Sequence, residues 1–397
     1  MPLSAVSPWP ALAAFVLVFA LMVALARLLP ETHGNSRYAT IDGLRGYLSL
    51  GVFLHHASIW YFYLPAGTWK VPPSAFYTHL GQSSVMLFFM ITGFLFFGKL
   101  LAARAGAPLD WLRLAVGRVL RLLPLYLLMV TALLMVVFTV SDWRLQQSPV
   151  ALLKAVLRWL AFTVEGAPDV NGVVGTSRIV AGVTWSLPYE WFFYLSLPLL
   201  ALLVLPRSRW PGKAVLLVGM MGLAAMLHLW SPLGEFLAGF LGGMLAAALL
   251  RWPPLQRFAV GPAASALALG LLLVLVLGFE DGRGLAQTAL LSVFFCLVAA
   301  GSSLFGLLTH RASRALGELA YSIYLLHGLL LFVCFRLLLG QDLALRLSPL
   351  QFWLLVLGLV PALLGLSLAS FRCVERPAMR RVDALTVWLR ARSRTAT

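Results

Sequence analysis

The residues best suited to chemistry in this 397-residue chain are ionisable side chains inside long apolar runs. One group is Asp42-Gly43-Leu44-Arg45-Gly46, followed by His55-His56. Arg45 and His56 are eleven positions apart. At about 100° per residue a helix places both on one stripe, roughly 16 Å apart along its axis. A membrane histidine often packs between helices, but two histidines below an Asp-x-x-Arg pair favour a functional interpretation.

A pair of arginines, Arg118 and Arg121, begins another apolar run. Their i, i+3 spacing puts both on one helix face. Guanidinium groups bind phosphate through forked hydrogen bonds, so the pair is a candidate anion clamp. Basic residues also anchor the ends of membrane spans, and the sequence leaves the two interpretations open.

An acidic residue, Glu190, lies in an aromatic-rich run. Ser186, Glu190 and Tyr194 are at i, i+4 and i+8, so a helix places them on one face. An aromatic belt at the membrane interface accounts for Trp191. It does not account for Glu190, which needs a partner or water inside a span and is therefore a second candidate site residue.

Two further polar segments have a plain structural interpretation. The stretch 81–97 contains Ser83, Ser84 and Thr92, and small residues of this kind favour close helix packing. His327 lies about two turns inside its predicted span, and taken alone it is expected to be a packing histidine.

Composition identifies the elements that must position these residues. The chain is 61% hydrophobic and 11% charged, whereas soluble domains are about one-quarter charged, so we predict an all-α integral membrane protein. A stretch at 149–164 carries Lys154 and Arg158 and is predicted to be an amphipathic interfacial helix. About eleven spans are predicted, at 9–29, 42–64, 80–102, 119–140, 186–206, 213–230, 233–250, 259–279, 285–308, 320–340 and 350–371.

The net charge of +16 would favour nucleic-acid binding in a soluble protein. In a membrane protein, basic residues gather in cytoplasmic loops and face anionic lipid, so membrane lipid and not nucleic acid is the expected partner. The alternation of basic loops predicts a cytoplasmic C-terminus and an outside N-terminus, with a retained first helix. The predicted inner loops contain Arg27, Arg37, Arg104, Arg113, Arg207, Arg209, Lys213, Arg251, Arg257, Arg311 and Arg314.

These segments, in their order along the chain, resemble the motifs of the acyltransferase-3 family of polytopic membrane O-acyltransferases. The matching residues are Arg45 and His56; Phe88, Phe89, Thr92, Gly93 and Phe94; Arg118 and Arg121; Trp185, Ser186, Leu187, Glu190 and Tyr194; Tyr321, Ser322, Tyr324 and His327; and Glu375-Arg376-Pro377. Thr92 and Ala320 stand where the family usually has serine. The resemblance predicts one membrane domain with its core at 37–380, preceded by an extra helix at 9–29 and followed by a basic cytoplasmic tail at 381–397.

The resemblance implies transfer of an acyl group, often acetyl, from acyl-coenzyme A to a hydroxyl of a cell-envelope saccharide or similar acceptor, in the bacterial cytoplasmic membrane. We expect His56 to be the base, because an ordinary histidine pKa of about 6.5 suits proton removal. Glu190 would orient its imidazole or bind acceptor hydroxyls. A covalent acyl-His56 intermediate is an open variant.

The remaining site residues divide between the two substrates. Acyl-coenzyme A is expected as a co-substrate, with no permanently bound cofactor and no metal site. Its phosphates would be bound by Arg45, Arg118 and Arg121. The acceptor would be supported by Asp42, Trp185, Ser186, Tyr194 and His327, with Trp185 stacking on a sugar ring.

Two other classes of protein compete with the enzyme. A transporter or flippase of a glycan or lipid-linked substrate would also have polar residues at several depths, but no inverted repeat is evident. A structural or sensory membrane protein gives no reason for Arg45, His56, Arg118 and Arg121 to occur together.

Overall fold

The computed structural model describes residues 4–28, 38–213, 215–217, 219–220 and 234–395. In these ranges the regular secondary structure is helical and there is no β-strand, which confirms the predicted all-α class. Arg37 and most of the predicted span 213–230 lie outside the described residues. The helices are α1 (Trp9–Leu25), α2 (Ala39–Ala66), α3 (Ala75–Arg104), α4 (Trp111–Val140), α5 (Pro149–Leu160), α6 (Leu187–Val204), α7 (Gly234–Leu249), α8 (Pro253–Ala259), α9 (Pro262–Gly278), α10 (Leu285–Ala300), α11 (Arg311–Glu318), α12 (Ala320–Phe332), α13 (Gln341–Leu345), α14 (Pro349–Ser370), α15 (Arg376–Arg380) and α16 (Val382–Thr395).

Long apolar helices make this chain a membrane protein. Five stretches of the described chain are long and apolar enough to cross a membrane, and a sixth is possible if α7 and α8, which meet at 105°, form one bent span. The predicted count of eleven is therefore not confirmed. Helices α1, α9 and α10 are apolar but have only 16 or 17 residues, so each is about 25 Å long against a hydrocarbon core of about 30 Å. The five stretches are Ala75–Arg104, Trp111–Val140, Val183–Val204, Ala320–Leu338 and Pro349–Ser393.

Two predicted peripheral segments are helical. Within the stretch 149–164, helix α5 begins after Ser148, whose hydroxyl accepts from the Ala151 amide, and buries only Ala155 and Trp159. Its place at a membrane interface stays a prediction. The basic tail continues the last long helix as α16.

The chain forms two compact units, each described here by itself. The first unit comprises Met1–Ala107, Ser186–Ala320 and Leu339–Pro361, and the second comprises Pro108–Trp185, Tyr321–Leu338 and Ala362–Thr397.

In the first unit, α3 packs against α2 and α7 through glycines. A Cβ atom at Gly93 would meet the Phe240 carbonyl of α7, and one at Gly243 would meet the Met90 carbonyl of α3. Such contacts bring the two backbones together, as expected of membrane helices that pack through small residues.

The Gly243→Ala variant tests this packing. The new methyl group would overlap backbone atoms of Met90, which cannot rotate away, so we expect a loss of about 1–3 kcal/mol in stability. The matched control is Gly270→Ala on α9, because nothing lies within 4 Å of a Cβ atom there. The readout is the thermal unfolding temperature of each purified variant in detergent. Equal unfolding temperatures for the two variants would contradict the close packing of α3 on α7.

In the second unit, α16 packs on the start of α4 through two ion pairs. Arg113 lies 2.7 Å from Asp383, and Arg390 pairs with Asp110. Asp110 also begins α4, because its carboxylate accepts from the Arg113 amide at 3.0 Å. Burial alone would raise the pKa of Asp110, but this amide and the Arg390 guanidinium outweigh burial and hold the pKa below its usual range.

Candidate functional site

Helix α2 carries Arg45 and His56 without a break, as their spacing predicts, and both are half-buried. The Nδ1 atom of His56 lies 3.0 Å from the carbonyl oxygen of Val52, one turn earlier. A carbonyl oxygen only accepts, so Nδ1 carries the proton in the neutral ring. The basic nitrogen of His56 is therefore Nε2.

An aromatic cluster lies on one side of the His56 ring. Trp69 stacks on it at 19° with the ring centroids 6.4 Å apart. Trp60 and Tyr63 then meet Trp69 edge-on, with centroids 5.6 and 5.2 Å from it. The ring of His56 is thus held between its backbone contact and an indole face.

The neighbouring His55 has a different role. Its ring is buried, and its Nδ1 donates to the carbonyl oxygen of Tyr77 in α3 at 2.8 Å. Gly81 makes room for it, because a Cβ atom there would overlap the imidazole. His55 is therefore a packing histidine that joins α2 to α3.

The first unit also brings two of the sequence motifs together at Glu190. The carboxylate accepts from the Tyr194 hydroxyl at 3.1 Å, which confirms their predicted shared helix face. It also accepts from the Thr92 hydroxyl of α3 at 3.4 Å. Thr92, which occupies the usual serine position, supplies the hydroxyl that this contact requires. Ser186 is buried at the start of α6, and Asp42 is half-buried on α2.

A cavity of about 800 Å³ opens in the first unit, where the C-terminal ends of α3, α7 and α10 meet the start of α2. Loop charges predict that this end is cytoplasmic. Small residues dominate its wall, and Arg251 supplies a cationic group. The lining residues include Tyr38, Thr40, Phe94, Gly98, Ala102, Ala247, Gln256, Ala300 and Thr309.

The second unit contains a buried ion pair. A guanidinium nitrogen of Arg121 lies 3.3 Å from the Glu375 carboxylate, which is fully buried. Ser322 donates to the same carboxylate, and Tyr321 places its ring 5.8 Å below the Arg121 guanidinium. Glu375 ends a π-helical turn, Phe371–Glu375, and such turns are frequent at functional sites.

The other predicted site residues of the second unit differ in burial and in the contacts they make. Arg118 is half-buried and Trp185 is exposed. His327 is fully buried, and its Nδ1 donates to the Ile323 carbonyl oxygen at 3.0 Å, in line with a packing histidine. Among the described residues, no group of three His, Cys, Asp or Glu side chains is arranged to hold a metal ion.

Three residues that contact predicted site residues or their partners were not themselves predicted to be site residues from the sequence. Glu375 and Ser322 belong to quoted motifs, but their pairing with Arg121 depends on contacts between segments far apart in sequence. Trp69 belongs to no motif. The available signal was Gly67-Thr68-Trp69, a helix-ending glycine followed closely by a large aromatic residue.

The fold and these sites define a helical membrane protein with ionisable groups held inside its long apolar helices. A family model described as an acyltransferase domain, that of acyltransferase-3, matches residues 38–372, so the chain belongs to the acyltransferase-3 family. The match leaves out α1, as the sequence predicts, and ends just before Glu375. Searches of curated proteins and of solved structures found no match.

Proposed function

We propose that this protein is a membrane-bound O-acyltransferase that moves an acetyl or related acyl group from cytoplasmic acyl-coenzyme A to a hydroxyl of a cell-envelope saccharide or similar acceptor. The family supports acyltransferase activity. The observation that carries the finer proposal is the His56 geometry, since a proton fixed on Nδ1 leaves Nε2 as the base.

The chemical step follows from that tautomer. Nε2 of His56 takes the proton of the acceptor hydroxyl while its oxygen attacks the thioester carbonyl carbon. The tetrahedral intermediate then expels the coenzyme A thiolate and leaves an ester on the acceptor. The imidazolium returns its proton to the thiolate, so the products are ester and thiol. Glu190 binds acceptor hydroxyls or orients the imidazole in this proposal.

In this proposal, basic residues at the predicted cytoplasmic side bind the acyl-coenzyme A donor. Arg45, Arg118 and Arg121 would bind the phosphates of coenzyme A. Arg121 can do so only while sharing its guanidinium, which has five N–H donors, with Glu375. The 800 Å³ cavity has room for part of the donor. We place the protein in the bacterial inner membrane, with its N-terminus outside and its C-terminus in the cytoplasm.

Thiol release by the purified protein tests this function. We expect free coenzyme A to appear when acetyl-coenzyme A and a saccharide acceptor are both present, and less when the saccharide is omitted. A transporter or flippase would release no thiol under either condition. Thiol release that does not depend on any hydroxyl acceptor would indicate a thioesterase and contradict acyl transfer.

A further inference from the structure

The outer end of α2 presents an aromatic wall, defined as Trp60, Tyr63 and Trp69, beside His56. His56, Trp60 and Tyr63 are at i, i+4 and i+7, so they follow one stripe of the helix. Trp69 comes from the loop after the helix and lies against all three.

The loop returns to the helix because of Gly67. Its φ of 65° is in the left-handed region, and its amide donates to the Tyr63 carbonyl oxygen at 2.8 Å, which ends α2. The chain then turns back, and Trp69 lies over the last turns of the helix. The position of Trp69 is thus set by local chain geometry as well as by its ring contacts.

The wall has a fixed part and an accessible part. Trp60 is fully buried and meets both Tyr63 and Trp69 edge-on, so it holds them in place. Trp69, Tyr63 and His56 are each partly exposed. The accessible surface of Trp69 therefore lies beside that of the half-buried His56 imidazole.

We propose that this wall is the acceptor site and that it takes a pyranose ring. The C–H groups on one face of a pyranose pack on an aromatic face, while the hydroxyls at the ring edge remain free to hydrogen-bond. An open-chain polyol has the same hydroxyls but no such face. The inference rests on the proposed function, because a sugar on Trp69 brings a ring hydroxyl to the base at His56.

Binding in the absence of donor tests the wall separately from catalysis. The probes are a panel of methyl pyranosides, with sorbitol as the open-chain comparison, and the readout is saturation-transfer NMR with detergent-solubilised protein. We expect wild type to bind at least one pyranoside more tightly than sorbitol. Trp69→Leu should weaken that binding about tenfold, which corresponds to the loss of an aromatic contact worth about 1.4 kcal/mol. Trp69→Phe should remain within about threefold of wild type.

The matched control is Trp9→Leu, which removes a tryptophan that is 70% exposed on α1. It should bind the pyranoside like wild type. Thermal unfolding of all three variants shows whether each is folded, and Trp69→Phe keeps the test decisive if Trp69→Leu does not fold. Unchanged affinity in folded Trp69→Leu, equal binding of sorbitol, or no binding of any pyranoside would overturn the proposal.

Kinetics with acetyl-coenzyme A then separates this inference from the proposed function. For a pyranoside that is acylated, Trp69→Leu should raise the acceptor KM about tenfold and leave the donor KM unchanged. A protein that binds pyranosides through Trp69 but releases no thiol would support the wall and contradict the acyltransferase. If the protein turns over and Trp69→Leu has an unchanged acceptor KM, the result would support the acyltransferase and contradict the wall.

Discussion

The His56→Ala variant should lose acyl transfer while the protein still folds and inserts into the membrane. Nε2 is the basic nitrogen of this ring, and removing a general base costs about 10²–10⁴-fold in rate. Initial rates of thiol release at saturating donor and acceptor measure the loss. Normal turnover by His56→Ala would remove this residue from the mechanism.

The matched control is the adjacent histidine. The His55→Gln variant can still donate a side-chain N–H to the Tyr77 carbonyl oxygen, which is the contact that His55 makes. We expect activity per folded protein close to wild type, with a modest loss of stability from altered packing near Gly81. Equal losses of activity in the two variants would mean that both act through the packing of α2 on α3.

The His56→Ala variant also tests whether the reaction passes through a covalent acyl-His56 intermediate. Incubation with radiolabelled acetyl-coenzyme A and no acceptor should leave the protein unlabelled if transfer is direct. Label that is present in wild type and absent in His56→Ala would establish an acyl-His56 intermediate.

The Arg121→Ala variant should have the largest effect on stability. It leaves the Glu375 carboxylate fully buried and without its guanidinium partner, which costs about 3–5 kcal/mol. We therefore expect poor recovery of folded protein and, for the folded fraction, a raised KM for acyl-coenzyme A. Thermal unfolding and donor kinetics measure the two effects.

A double variant separates these roles of Arg121. Arg121→Met with Glu375→Leu removes both charges and keeps the volume, so most of the lost stability should return. If Arg121 also binds donor phosphate, the KM for acyl-coenzyme A stays high in the stable double variant. Recovery of a wild-type KM would show that Arg121 serves only the ion pair.

Contacts within one helix could be predicted from the sequence. Eleven residues are close to three turns, so Arg45 and His56 were expected on one stripe, and α2 is continuous through both. The i, i+4 spacing of Glu190 and Tyr194 likewise predicted their shared helix face, where the structure shows a hydrogen bond between them. In both cases the helix period alone fixes the geometry.

The ends of helices could not be predicted as well. The predicted span 285–308 is cut at Ala300, because Gly301 has a φ of 125° and ends α10. Hydropathy registers the apolar residues beyond Gly301 but not the change in backbone direction. Helix ends account for only part of the difference in span number, because α2 has 28 residues and is still not among the five candidate spans.

Contacts between distant segments were also beyond the sequence. Arg121 was predicted, with Arg118, to form an anion clamp or to anchor the end of a span, because nothing in its own helix indicates that Glu375 will be buried against it. Trp69 lies between the predicted spans 42–64 and 80–102 and belongs to no motif, although it stacks on His56. A single sequence records which residues share a helix face, whereas these partners depend on how the chain folds back.

The most direct measurement is the mass of the acceptor after reaction. Purified protein in lipid vesicles is incubated with acetyl-coenzyme A and a methyl pyranoside, and the sugar is then analysed by mass spectrometry. The account predicts an acetyl ester of the sugar in amounts equal to the free thiol released, and neither product with His56→Ala. An unmodified sugar from fully folded wild-type protein, across the whole panel of pyranosides and with acetyl-coenzyme A left intact, would contradict it.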